Sequence, residues 1–438
     1  MAVYSVMLLL VMVLGAPYWL WRMMTSGRYR AGLSQRLGRV PLRLREAVRG
    51  RQVVWVHAVS VGEVVAAMRL IEALRERQPG FVFAVSTTTE TGQKLARQKL
   101  GEDLVFYLPL DLGVLVRRYL RALRPRLLVL MESELWPNLI LECSAQQIPI
   151  AVANARVSDR SFPRYMRLRR LWRPLLQRIS LFLAQNSESM ERLTSIGALP
   201  EQVVVTGNIK YDSRADLDRP VLATLRAALA GNTRVLVCGS TLEDEERRLL
   251  EAWSELLTME PDAVMVLAPR HPYRFQSVFE LVYTWGLEAG VQVHRATTFD
   301  SSKTLRGGSI LLLDTIGDLA AVYSLGAAAF VGGSLVRSGG HNPLEAAQFG
   351  VPVVMGDSYE NFREMVERMR AADAIAILPG AVSAEALGRK LGTVLRGGEE
   401  VRRMGEQGQI VFTTESGAAA RTADALVKLL ERPAGALR

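Results

Sequence analysis

The sequence predicts an α/β protein of two doubly wound, Rossmann-like domains behind an N-terminal transmembrane helix. Three observations carry that expectation. Short apolar runs alternate with helical patterns along most of the chain, which is how parallel sheets wrapped by crossover helices read. The alternation pauses once, over the polar stretch Asn208 to Pro220 with Asp212, Asp216 and Asp218, and then resumes. Finally, no charged residue occurs from Met1 to Trp21, and Val3 to Trp21 approaches the roughly 20 residues that cross a bilayer as a helix.

The chain has 438 residues, of which 49% are hydrophobic and 22% charged, so two ordinary cores are within reach. Its two cysteines, Cys143 and Cys238, sit in apolar stretches of different halves. That distribution excludes a disulfide framework and suits a reducing compartment.

The elements follow in order. Residues 1 to 24 read as a membrane anchor, because Trp19, Trp21 and Arg22 stand where a cleavable signal would place small residues. From Arg22 to Arg51 there are nine arginines and one acid, Glu46. The positive-inside rule therefore sets the rest of the chain on the cytoplasmic side of the inner membrane as a single-pass protein. The first domain, residues 25–208, offers strands at Val53 to His57, Phe81 to Ser86, Leu127 to Met131, Ile150 to Ala153, Leu181 to Ala184 and Val203 to Thr206. Amphipathic stretches such as Val64 to Arg77 and Leu112 to Leu123 lie between them.

The second domain, residues 209–438, offers Val235 to Cys238, Val264 to Ala268, Ile310 to Asp314, Ala328 to Val331 and Val351 to Met355. A last helical pattern, Ala418 to Leu430, could pack back across the first domain. Net charge is +10. Part of it lies in Arg160 to Arg178, seven arginines and no acid, interleaved with Phe162, Tyr165, Leu168, Leu171, Trp172 and Leu175. Threes-and-fours spacing describes an amphipathic helix for anionic lipid or an acidic lipid headgroup, or one packed on the protein's own core. A nucleic-acid partner is not expected, since no binding motif accompanies the charge.

Ligands of doubly wound sheets bind at the carboxyl ends of the strands, so residues that follow strands are the candidates. Glu63, in Ser60-Val61-Gly62-Glu63, is placed to act as a base or simply to favour a helix start. Glu132 and Glu134 follow the strand ending at Met131, in Glu132-Ser133-Glu134-Leu135-Trp136-Pro137-Asn138. They read either as working carboxylates or as structural groups, Glu132 paired with an arginine and Glu134 capping the helix. Lys210, in Thr206-Gly207-Asn208-Ile209-Lys210-Tyr211-Asp212, suits a phosphate or carboxylate partner.

In the second half, Pro269-Arg270-His271-Pro272 offers a guanidinium, and Asp314 to Asp318 offers backbone freed by Gly317. The glycine-rich Val331-Gly332-Gly333-Ser334 with Gly339-Gly340 leads into His341-Asn342-Pro343-Leu344-Glu345. A glycine-rich turn feeding a helix start sets N–H groups against an anion, and Glu345 one turn in can grip a ribose; the alternative is a plain tight turn with His341 as a helix cap. Helix dipoles starting after Gly317 and Gly340 would favour a phosphate. His271 and His341 lack the neighbours of a metal site.

These motifs, together with Asn154-Ala155-Arg156 and in this order from the anchor to about Pro352, resemble the bacterial Kdo transferases of lipopolysaccharide core biosynthesis. The resemblance implies the glycosyltransferase B fold. It also implies transfer of 3-deoxy-D-manno-octulosonic acid (Kdo) from CMP-Kdo to the lipid A precursor lipid IVA, with inversion and with neither metal nor cofactor. Glu63 would be the general base, with Glu132 and Lys210 stabilising the transition state. Pro269, Arg270, Ile316, Gly317, Asp318, Asn342, Pro343, Leu344 and Glu345 would bind CMP. Partners would be CMP-Kdo, the lipid acceptor and inner-membrane lipid. Another membrane-associated transferase of this fold with a different nucleotide sugar is the alternative. Ser133 stands where relatives often have threonine, and Gln35 where some have an acid.

Overall fold

The computed structural model describes residues 31–431 except 213, 230, 232, 301 and 302, together with residues 4, 8, 10, 14–18, 21, 22 and 25. The expected anchor, residues 1 to 24, lies largely outside them. Among the described residues no helix is long and apolar enough to cross a membrane.

The chain forms two compact units, residues 1–212 with 415–438, and residues 213–414. Each holds a seven-stranded sheet in which every pair is parallel. The boundary falls after Asp212 instead of position 208, and the chain from Glu415 belongs to the first unit, not the second. The physical reason for the return is apolar: Ala419, Ala423, Leu426 and Leu430 of the helix Ala418–Glu431 join one cluster with Ala67, Leu70, Ile71 and Leu74 of the helix Val61–Arg77. Asp212 caps that last helix, accepting from the N–H groups of Gly417, Ala418 (3.0 Å) and Ala419.

In the first unit the strands are β1 Gln52–His57, β2 Phe81–Thr87, β3 Val105–Tyr107, β4 Leu127–Met131, β5 Ile150–Ala155, β6 Leu181–Ala184 and β7 Val203–Val205, in the order β3-β2-β1-β4-β5-β6-β7. The second has β8 Val235–Thr241, β9 Val264–Pro269, β10 Val293–Arg295, β11 Ile310–Leu312, β12 Ala328–Val331, β13 Val353–Gly356 and β14 Ile375–Leu378, in the order β10-β11-β9-β8-β12-β13-β14. Central strands such as β4 are buried throughout, as helices on both faces require. The sequence reading lacks β3, β10 and β14. All three are edge strands; β10 is only half-buried, and β3 and β14 are short, with three and four residues. Gln35 gains a role at one of these edges: its Oε1 accepts from Tyr107 N (2.8 Å) of β3.

The arginine-rich stretch forms two helices, Phe162–Arg167 and Arg169–Leu176, in place of one, with the break at Leu168. Pro174 lies inside the second and has no N–H to continue the ladder. Leu175 is buried, and Phe162, Tyr165 and Trp172 pack against the unit's own core. The free apolar surface is thus narrower than the sequence suggests: Leu168 and Leu171, exposed by 46% and 69%.

Candidate active site

In the first unit the candidate residues gather at the carboxyl edge of the sheet. β1 and β4 pair with His57 opposite Leu130, and β4 and β5 with Met131 opposite Ala153, so the loops that follow them start side by side. After β1 the chain enters the helix Val61–Arg77 through Ser60, whose hydroxyl accepts from Glu63 N. The Glu63 carboxylate closes the cap: Oε1 accepts from Ser60 Oγ (2.8 Å) and Oε2 from Val59 N (2.9 Å). This reciprocal capping box fixes the carboxylate rather than leaving it to swing. Glu63 is only 7% exposed. Burial pushes its pKa up, the Glu132 charge adds to that, and the hydrogen bonds from Val59 and Ser60 hold it back. A buried, ionisable carboxylate with free lone pairs beside its bonded ones can take a proton.

Glu132 leaves β4 in the left-handed conformation (φ 57°), with its N–H donated to Ala153 O (2.8 Å). Its Oε1 lies 2.5 Å from Lys210 Nζ as an ion pair without hydrogen-bond alignment. Of the two structural alternatives, the ion pair with an arginine is replaced by one with lysine. Glu134 caps no helix: Trp136 is the N-cap of Pro137–Ala145, and the first N–H groups of that helix donate to Asp111, Asn138 N to Oδ2 (2.9 Å) and Leu139 N to Oδ1 (2.8 Å). Burial first, then the Glu63 and Glu132 charges, push Glu134 up to about 7. Three carboxylates and one ammonium therefore share this corner. His57 behind them is fully buried and held down at about 4, so it is neutral, with Nδ1 against Ser86 Oγ (2.9 Å).

The second unit brings its candidates to the ends of β9, β11 and β12, and here several expectations change. The N–H groups of the glycine-rich loop are not free: Gly333, Ser334 and Leu335 donate to the Glu245 carboxylate at 2.7, 2.9 and 2.9 Å, and Leu242 N adds a fourth bond at 2.9 Å. Glu245 is fully buried and fills the nest that a ligand phosphate would need. The helices after Gly317 and Gly340, Leu319–Val322 and Leu344–Ala347, have four residues each, too few peptide units for a strong macrodipole. Asp314 is spent on Thr297 N (2.9 Å), Thr297 Oγ1 (2.6 Å) and Arg295 Nε (2.8 Å). Although burial opposes it, those bonds hold its pKa down.

What remains for a ligand is coherent. Arg270 is exposed beyond Pro269. Ile316 is 77% exposed, Gly317 has φ 89°, and Asp318 lies 3.8 Å from Arg219 Nε. Asn342 Oδ1 accepts from Leu344 N (3.1 Å) and so caps the turn that carries Glu345. His341 is held at about 4 by burial, with the Arg270 charge and His271 adding, which also places Arg270 near it. Gly333 must be glycine here: a Cβ would come within 2.9 Å of the His341 ring, at φ 68°.

Local sequence carried Glu63, Glu132, Lys210 and the second-unit motifs. The Ser60-to-Glu63 spacing was a capping-box signature available in the sequence. Nothing near Glu245 announces a partner some ninety positions on, and Asn154 shows its contacts only in three dimensions.

Comparisons with known proteins agree with this layout. Residues 31–213 match the family described as 3-Deoxy-D-manno-octulosonic-acid transferase (kdotransferase), and residues 301–411 match Glycosyl transferases group 1. The chain is 34% identical over 410 residues to the 3-deoxy-D-manno-octulosonic acid transferase of Haemophilus influenzae, covering 93% of each chain. It is 32% identical over 427 residues to that of Bordetella pertussis, covering 93% of this chain and 94% of that one. Among solved structures, a glycosyltransferase from Rickettsia africae shares the fold, with a TM-score of 0.52 over 87% of this chain and 98% of that one at 11% identity.

Proposed function

Since the chain belongs to the 3-deoxy-D-manno-octulosonic acid transferase family, we propose that it is a glycosyltransferase B enzyme moving Kdo from CMP-Kdo to a lipid A precursor, lipid IVA, with inversion. The observation that carries the chemistry is the buried, capped Glu63 beside the Glu132–Lys210 pair.

Glu63 takes the proton of the acceptor sugar hydroxyl as its oxygen attacks the anomeric carbon of Kdo. The bond from that carbon to the CMP phosphate breaks, and its electron pair leaves with CMP. A base held in place before the substrate arrives costs no reorganisation in the transition state. Lys210, set by Glu132, supplies positive charge close to where charge develops. Pro269, Arg270, Ile316 to Asp318 and Asn342 to Glu345 hold CMP. With the glycine-rich nest filled by Glu245, exposed Arg270 offers a cation for the phosphate.

Residues 1 to 24 anchor the chain in the inner membrane, with both units on the cytoplasmic side. The uncharged start and the arginines that follow support this. Leu168 and Leu171 among their arginines suit contact with the leaflet that holds the acceptor.

Incubation of the protein with lipid IVA and freshly generated CMP-Kdo, followed by mass spectrometry, is the test. A gain of one or more Kdo masses is expected. CMP binding without any gain would point to another donor or acceptor.

A further inference from the structure

The motif Asn154-Ala155-Arg156 has no part in the chemistry above, yet Asn154 lies on the strand beside Glu132 and bonds the turn that carries Lys210. Met131 of β4 stands opposite Ala153 of β5, so Glu132, just past β4, and Asn154, the next residue of β5, sit at the same level. Both are left-handed, with φ 57° and 56°, a conformation that residues other than glycine avoid and that accumulates at functional sites. Asn154 is fully buried.

Its side chain is committed on one side. Oδ1 accepts from Ile209 N (2.9 Å), the first residue of the turn Ile209–Tyr211 that carries Lys210. Its main-chain carbonyl accepts from Gln185 Nε2 (3.0 Å), which fixes the residue from behind. The far side of the same turn is tied by Arg69, whose guanidinium donates to the carbonyls of Ile209 (3.1 Å) and Lys210 (2.9 Å). Arg69 lies on the helix that begins with Glu63.

These ties matter because the Lys210 side chain is 41% exposed. An ion pair that open to solvent is too weak to hold a long lysine by itself, and preorganised charge is what acts on a transition state.

We propose that Asn154 is a positioning residue for the transfer site, holding Lys210 against Glu132 and acting on the reaction through that pair without touching substrate. This rests on the reading in which Glu132 and Lys210 stabilise the transition state. It assigns work to a buried asparagine that a packing role alone does not need: the Ile209 N–H could be met by any acceptor, but only one fixed to the strand beside Glu132 sets the two charged groups in a common frame.

The test is a double-mutant cycle in the full-length protein with CMP-Kdo and lipid IVA. Asn154→Gly suits the left-handed backbone and removes the tether. It is expected to lower kcat by about tenfold or more, as small misplacements of a catalytic group do, while the KM for CMP-Kdo stays within about twofold. In a Lys210→Ala background the same substitution should change kcat by less than about twofold, because its route is already gone.

Equal losses in both backgrounds, or no loss in the first, would overturn the proposal. If Lys210→Ala alone leaves kcat intact, the reading of the ion pair fails and the proposal falls with it. If Lys210→Ala is slow and Asn154→Gly is not, only the positioning claim fails. Should the glycine variant fold poorly, Asn154→Asp decides. It keeps an acceptor for the Ile209 N–H and should retain at least about a third of kcat; a well-folded aspartate variant as slow as Lys210→Ala would refute it.

Discussion

Glu63→Gln separates the structural duty of this carboxylate from the catalytic one proposed for it. As N3 of the capping box it serves the helix Val61–Arg77, and as the proposed base it would take the proton of the acceptor hydroxyl. Glutamine keeps the length of the side chain and an oxygen for the Val59 N–H, which now bonds Oε2 at 2.9 Å, while its amide nitrogen can donate to the Ser60 hydroxyl that now bonds Oε1 at 2.8 Å. The cap is therefore retained. Burial raises the Glu63 pKa and the Glu132 charge adds to it, so at neutral pH the carboxylate is the less comfortable occupant and the glutamine protein should melt no lower than the parent. The base is lost. General-base catalysis is worth about a hundredfold to ten-thousandfold, or about 3 to 5 kcal/mol of transition-state stabilisation, and kcat should fall by that factor with CMP binding unchanged. Glu63→Ala should fall as far in rate and in addition lose about 1 kcal/mol of stability through the opened cap. The assay is initial-rate transfer with CMP-Kdo generated in place, beside thermal melting. In the parent, the acid limb of kcat/KM should lie above the usual carboxylate range, since activity needs the ionised form and is lost as pH falls through a raised pKa. A Glu63→Gln enzyme within about tenfold of the parent would refute the assignment of the base.

Two further substitutions read the electrostatics and the loop. Glu134→Gln should stabilise the protein at high pH. The folded pKa is raised from 4.5 to about 7, so ionisation costs stability as pH rises across that interval, and the gain in melting temperature should be full near pH 8 and absent below about pH 4.5; a gain independent of pH would show that the carboxyl is not desolvated. Glu245→Ala strips the acceptor from the N–H groups of Leu242, Gly333, Ser334 and Leu335. It should cost about 3 kcal/mol or more in denaturant unfolding and weaken CMP binding in whatever remains folded; a loss below about 1 kcal/mol would mean that water replaces the carboxylate easily.

The central strands and most of the candidate site were legible because both leave marks in consecutive residues. A buried strand must be apolar along its length, as Leu127–Met131 is, and a residue that follows it is delivered to the ligand edge by topology alone. Some edge strands escape this logic, though β7 does not: β10 is only half-buried, and β3 is three residues long and completed from outside by Gln35. The return of the last helix to the first domain was visible as an amphipathic pattern, but its seat on the helix Val61–Arg77 was not, since that depended on an alanine-rich face fitting it.

The site shows the same division more sharply. Glu63 and Lys210 announce themselves by position after a strand. The meaning of Gly332-Gly333-Ser334 reversed in three dimensions, because free N–H groups in a local pattern are free only until some distant acceptor claims them, and Glu245 claims three. A filled nest still does work for a ligand. It fixes Gly333, whose carbonyl accepts from Gly340 N (2.8 Å), and Gly340 directly precedes His341 and Asn342. The glycine-rich loop thus acts as a brace for the residues that follow it. In the proposed reading, binding of the nucleotide phosphate would fall to groups for which the described residues show no carboxylate partner, such as exposed Arg270.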